Sequence, residues 1–232
     1  MRQWISAALW KPVEFLLRVE ISMDSTAFDS WASYAASEEM LFVLENSVIN
    51  GTGAGQPQGV MQSPALITVA KQSGQGSGTV VSANISDMLS SFWAKSYVSP
   101  SACWLYSQSL LPQLSALTTV VGTAGSEARL WSWKTSSDDF DRLCGICAIP
   151  SEYCAYAGTP SDLLLIDPAR YILAMRQIRG DVSLHVAFLT DSSSFRFVWR
   201  IAGQTIDRSS VAALNGGSPP YVTSPFVCLA QR

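Results

Sequence analysis

Cys144 and Cys147, three positions apart with Cys154 beyond them, have the spacing of half a zinc site or of a thiol redox pair. Thiolates held this close bind soft metal ions or exchange disulfides. The second half is missing nearby: no further Cys-x-x-Cys occurs, and His185 and Cys228 stand far along the chain. Both cysteines also fall in an apolar run, Leu143 to Ile149, that reads as one strand, where free cysteines pack as small hydrophobes. Packing is the preferred reading, and a small metal or thiol protein using Cys144, Cys147 and Cys154 is kept as an alternative. Five cysteines, an odd number in a chain this long, suggest no disulfide framework and agree with a reducing compartment.

His185 is the only histidine, so any nucleophile activated by imidazole must use it. In Val182-Ser183-Leu184-His185-Val186 a strand puts the aliphatic residues on one face and His185 on the other, which predicts a half-exposed strand histidine. No Gly-x-Ser-x-Gly elbow accompanies it. The segment Gly51-Thr52-Gly53-Ala54-Gly55-Gln56-Pro57-Gln58-Gly59 has glycines of the kind that cradle phosphates, but it follows a helix, and Gln56 and Gln58 occupy the places of the last glycine in both registers. A helix stop followed by a flexible turn into another domain is the simpler reading. Glu38-Glu39 and Asp138-Asp139-Asp141 could do acid-base work, yet carboxylates adjacent in sequence usually form a solvated face. The sequence therefore nominates no catalytic, cofactor-binding or metal-binding residue, and no cofactor.

The elements that would carry such residues are legible in part. Val13 to Ile21 reads as a strand. A helix follows from about Asp24, with Asp24 and Ser25 as N-cap candidates and Ala27, Trp31, Tyr34, Leu41, Leu44 and Val48 at helical spacing until Asn50-Gly51. At the standard rise this rod is roughly 36 Å long. A short apolar run spans Ala65 to Ala70; Asn84 is placed as the cap of a second helix; Ala102 to Tyr106 reads as a strand, and Leu110, Leu111, Leu114 and Leu117 mark a third helical segment. From Leu143 onward the pattern is mostly strand: Leu143 to Ile149, Leu163 to Ile166, Tyr171 to Met175, Val182 to Leu189, Phe195 to Ile201 and Pro225 to Leu229. Helices and strands are partly segregated, which predicts an α+β fold.

Composition narrows the function classes. The chain has 232 residues, 48% hydrophobic, enough to bury a substantial core, while only 14% are charged and eight are tryptophan. Few charges and many aromatics suit either an aromatic core or a surface covered by a partner. The net charge is -3 with the basic residues scattered, which speaks against sequence-specific nucleic-acid binding. Lys11, Glu14 and Arg18 interrupt the apolar N-terminal stretch, so no run spans a bilayer, and the opening lacks the features of a signal peptide.

Several segments together resemble the major capsid protein family of tailed phages and prophages, whose fold is shared with encapsulins. Met23-Asp24 before the long helix and Ile49-Asn50-Gly51 through Gly59-Val60 look like that family's spine helix and its turn into the capsomer-centre domain. Asn84-Ile85-Ser86-Asp87-Met88 and Ala102-Cys103-Trp104-Leu105 resemble the next helix and strand. Leu143 to Tyr153, Gly158 to Asp167 and Arg170 to Leu173 are similar to the last part of its central domain. Phe195 to Arg200, Ala202-Gly203-Gln204 and Ser224 to Ala230 resemble its return strands and C-terminus.

The resemblance implies a peripheral domain of residues 1–60 and 186–232, with the spine helix at about 24–50 and the return strands, and an axial domain of mixed α/β structure over 61–185. It implies a structural major head protein, not an enzyme, that assembles with copies of itself into an icosahedral shell. Its place would be the virion capsid, with synthesis in the host cytoplasm, and other head proteins would be its further partners. An encapsulin-like compartment shell is the alternative on the same fold. The family's N-terminal arm and extended loop find almost no counterpart before Val13, so the resemblance implies a shortened copy, expected as a monomer or small oligomer at micromolar concentration.

Overall fold

The structure is a computed structural model and describes residues 13–18, 26–121, 125–136, 138–187, 192–215 and 221–232. The Asp24 and Ser25 caps lie outside them. The chain divides into two compact units that interleave in sequence: residues 1–59 with 173–204, and residues 60–172 with 205–232.

The first unit is built on α1 (Thr26–Asn50). Ala36, Met40, Leu44 and Ser47, spaced four, four and three apart, share one face of the rod and are buried. Leu44 packs with Ile201, and Val43, Val48, Leu173 and Trp199 close around them. The unit also holds an antiparallel sheet in which β12 (Ser192–Val198) lies between β1 (Val13–Arg18) and β11 (Arg179–Ala187). The segment read as one strand from Phe195 to Ile201 is therefore two, β12 and β13 (Ile201–Thr205).

The second unit is organised by a seven-stranded mixed sheet. Its order is β2 (Ile67–Val69), β16 (Phe226–Leu229), β9 (Leu163–Ile166), β3 (Cys103–Tyr106), β8 (Ile146–Pro150), β7 (Asp141–Leu143), β6 (Trp131–Ser132). All four residues of β9 and of β16 are buried, as continuous apolar strands covered on both faces should be. Trp104, Tyr106, Leu163, Leu165, Val227 and Leu229 turn to one side and form a core with Ile85 and Met88 of α2 (Ser82–Ser91). Asn84 does not cap α2 from outside. It is the third residue of the helix, fully buried, and its Oδ1 accepts from the Val81 N–H at 3.0 Å.

Three expectations are corrected here. The segment Leu143 to Ile149 is a hairpin, with β7 and β8 joined by Cys144 (φ +52°) and Gly145 (φ +83°). Both central residues adopt the left-handed conformation of a two-residue turn, which the sequence disguises by placing cysteine where Asn or Asp is usual. Residues 205–232 do not group with the long helix. β16 pairs in parallel with β2 and antiparallel with β9, so the chain's last strand completes the second unit's sheet. The boundary expected at residue 186 falls instead before Leu173, because the segment from Leu173 packs with Leu44. A further hairpin, β4 (Thr118–Val121) with β5 (Ser126–Arg129), is almost wholly exposed and was not anticipated.

Candidate functional site

The five thiols do not gather at one site, although Cys103 and Cys147 lie side by side on adjacent strands. Cys144 sits in the β7–β8 turn and Cys147 in β8, where it is in register with Cys103 of the parallel strand β3 and its Sγ reaches the Ala102 carbonyl at 3.5 Å. Cys154 is buried elsewhere, and the Cys228 Sγ lies 3.3 Å from Thr68 Oγ1 on the far edge of the sheet. Among the described residues no three His, Cys, Asp or Glu side chains form a metal-binding group. Burial pushes the Cys103 and Cys154 thiols up to about 12 and raises those of Cys144, Cys147 and Cys228 as well. A nucleophile or metal ligand needs the opposite shift, toward thiolate.

A consequence is measurable. A thiol raised in the fold keeps its proton where the unfolded chain has lost it, so its contribution to stability is whole below the unfolded value of 9.0 and is lost as pH climbs through about 12. Urea midpoints recorded across this alkaline range should fall steadily, and Ellman's reagent at neutral pH should meet slow thiols in the native chain and five fast ones after denaturation. Rapid modification of two thiols in the native state, with an apparent pKa below the ordinary value, would restore the redox-pair reading.

The glycine-rich segment forms a backbone clasp at the end of α1. The Gly51 N–H donates to Ser47 O at 2.9 Å, Gly59 N–H to Gly51 O at 2.7 Å and Gln58 N–H to Gly203 O at 2.8 Å. Three of the segment's amides, at its two ends, are thus spent on carbonyls. A Cβ on Gly51 would stand 2.2 Å from Pro57 O and 2.3 Å from Ser47 O, and one on Gly59 2.5 Å from Ile49 O, so closeness of backbone requires glycine at both places. Gln56 Nε2 donates to Thr52 Oγ1 at 2.9 Å across the loop.

The carboxylates are dispersed by their elements. Asp138 pairs with Arg142 at 3.2 Å, and Asp141 Oδ1 accepts from the Lys134 N–H at 2.8 Å, a loop-bracing role. Glu38 and Glu39 are exposed on α1. His185 falls in β11, and its side chain lies outside the described residues. What sequence reasoning missed is a buried ion pair: Asp162 and Arg232 are both enclosed in the second unit, their side chains fully shielded from water. Arg232 Nη1 and Nη2 reach the two oxygens of Asp162, which also accepts from Gly158 N–H at 2.7 Å. Seventy residues of separation hid this pairing from any reading of spacing.

The exposed apolar side chains are the remaining candidates for contact with other molecules. Along α1 they are Trp31, Tyr34, Leu41 and Phe42, and near the start of β11 they include Met175 and Ile178. Among the described residues no helix is long and apolar enough to cross a membrane.

A sequence model described as the phage capsid family matches residues 19–216. No curated protein matches. Among solved structures, the capsid of an empty GTA particle is similar at 14% identity and a TM-score of 0.69, with 96% of this chain and 74% of that chain covered. A chain from Mycobacterium phage Adephagia is similar at 15% identity and a TM-score of 0.57, covering 96% and 71%. The SrpI encapsulin of Synechococcus elongatus follows at 12% identity and 0.56, covering 95% and 73%. At these identities the likeness is one of fold.

Proposed function

Because the chain belongs to the phage capsid family, we propose that it works as a major head protein whose copies associate with one another in the virion shell. It is a structural capsid protein with an α+β capsid fold. The match over residues 19–216, which takes in the long helix, most of the second unit and the return strands, is the observation that carries the reading.

Physical features support the finer proposals. A shell protein needs repeated heterologous contacts between identical subunits, each modest and summed over many copies. The rod of α1 beside its sheet suits a peripheral unit along subunit boundaries, and the sheet-based second unit suits a wedge around a symmetry axis. In this reading the chain carries no catalytic, cofactor or metal site, is made in the host cytoplasm, and meets other head proteins in the particle. Raised thiols support the absence of a reaction centre. A cellular compartment shell is the second reading, favoured by the encapsulin's shared fold. Sedimentation velocity over a wide concentration series is the test. The sedimentation coefficient should rise with concentration, and a value that stays flat would remove self-association from the reading.

A further inference from the structure

We propose that Cys103 and Cys147 are a modification site, at which a peroxide joins the two thiols in a disulfide that staples β3 to β8. The site does not depend on association between copies of the chain.

Strand register brings the pair together. Cys103 and Cys147 are partners across the parallel strands β3 and β8, near the middle of the seven-stranded sheet. Neighbouring strands lie about 4.8 Å apart, within the roughly 4.4–6.8 Å between Cα atoms that a disulfide spans. Partners in register point to the same face, and here the two thiols interact directly. That face is the one away from the main core. Ala102, Trp104, Ile146 and Ala148 turn into the core, so Cys103 and Cys147, which alternate with them, turn the other way. Cys144 packs against the core instead. The Cys-x-x-Cys motif is therefore divided between the two faces of the sheet, and the partner of Cys147 comes from another strand.

The two thiols differ in access. Cys103 is buried, while Cys147 is half-buried and stands in register with the exposed Arg142 of β7. Burial raises the Cys147 thiol, and the Arg142 guanidinium pulls it back toward thiolate. Cys147 is thus the sulfur that a peroxide meets first. Its thiolate attacks one peroxide oxygen, the O–O bond breaks, and Cys147 sulfenic acid forms as hydroxide leaves and is protonated to water. The Cys103 sulfur then attacks the Cys147 sulfur, the S–O bond breaks, and the hydroxyl departs with the Cys103 proton as a second water. Two thiols have lost two electrons and one peroxide has gained them. Because burial favours the protonated form of both thiols, the reaction is slow at neutral pH.

Hydrogen peroxide added to the fully reduced, full chain at neutral pH tests this, with intact mass and non-reducing peptide mapping as readouts. The mass should fall by two hydrogens, and the fragments bearing Cys103 and Cys147 should stay joined until a reductant parts them. The linked chain should also unfold at a higher urea concentration than the reduced one, because the bond restricts the unfolded chain. An unchanged mass, a gain of oxygen at Cys147 with Cys103 still reduced, or a bond from Cys147 to Cys144 overturns the site. A urea midpoint no higher than that of the reduced chain overturns the staple.

Discussion

Replacing Arg232 with alanine should cost about 3–5 kcal/mol of folding stability, because it strands the Asp162 carboxylate in the interior without its counter-ion. The guanidinium is held by more than charge. The Arg232 main chain bonds to Gly158 O through its N–H at 3.0 Å and accepts from Ser77 Oγ at 3.3 Å, so the side chain is delivered to Asp162 by a fixed backbone. Desolvation still raises the Asp162 carboxyl above its ordinary range, against the Gly158 N–H and the guanidinium that pull it down, and Arg232 Nε is buried with no partner. The pair therefore specifies geometry more than it adds stability. It follows that Asp162→Asn combined with Arg232→Met should return most of the loss, while either change alone should not. Urea unfolding of the three variants gives the answer, and a cost below about 1 kcal/mol for the arginine variant would mean that water reaches the pair.

Trp104→Ala should cost a similar amount, about 3–5 kcal/mol, since it empties the centre of the larger core. Trp104 is fully buried on β3, between β9 and β8, and its Nε1 donates to Leu143 O at 3.1 Å, tying the strand to the β7–β8 hairpin. Trp104→Phe keeps most of the apolar volume and loses the donor, so its cost should be about 1–3 kcal/mol. Equal losses for the two variants, read from denaturant midpoints at unchanged slope, would show that the hydrogen bond and not the ring volume holds this site.

The parts of the fold that were legible in the sequence are those where one face of one element carries the signal. The helical spacing of Ala27 through Val48 located α1, although Trp31, Tyr34 and Leu41 of that series are exposed and the buried stripe is Ala36, Met40, Leu44 and Ser47. Leu163 to Ile166 and Tyr171 to Met175 were read with the bounds the structure gives them. The illegible parts depend on pairing across long separations or on unusual turn residues. Nothing local in Phe226 to Leu229 says that it slots between β2 and β9, so the C-terminal strand was assigned to the wrong unit. The Cys144-Gly145 turn was invisible because a cysteine at φ +52° breaks the rule by which such turns are recognised. The β4–β5 hairpin has no buried face and hence no alternation to find.

The functional surface was harder to see than the fold. Cys144 and Cys147 drew attention because reactive residue types stand out in a sequence, yet their environments suppress that chemistry. Glu38 and Glu39 were read as a solvated face, which they are within one chain.

Self-association of identical chains is the central claim, and native mass spectrometry of the purified wild-type protein at low salt tests it most directly. The account predicts complexes whose masses are whole multiples of 25.1 kDa, growing in share with concentration. A single species at 25.1 kDa at every concentration would contradict it.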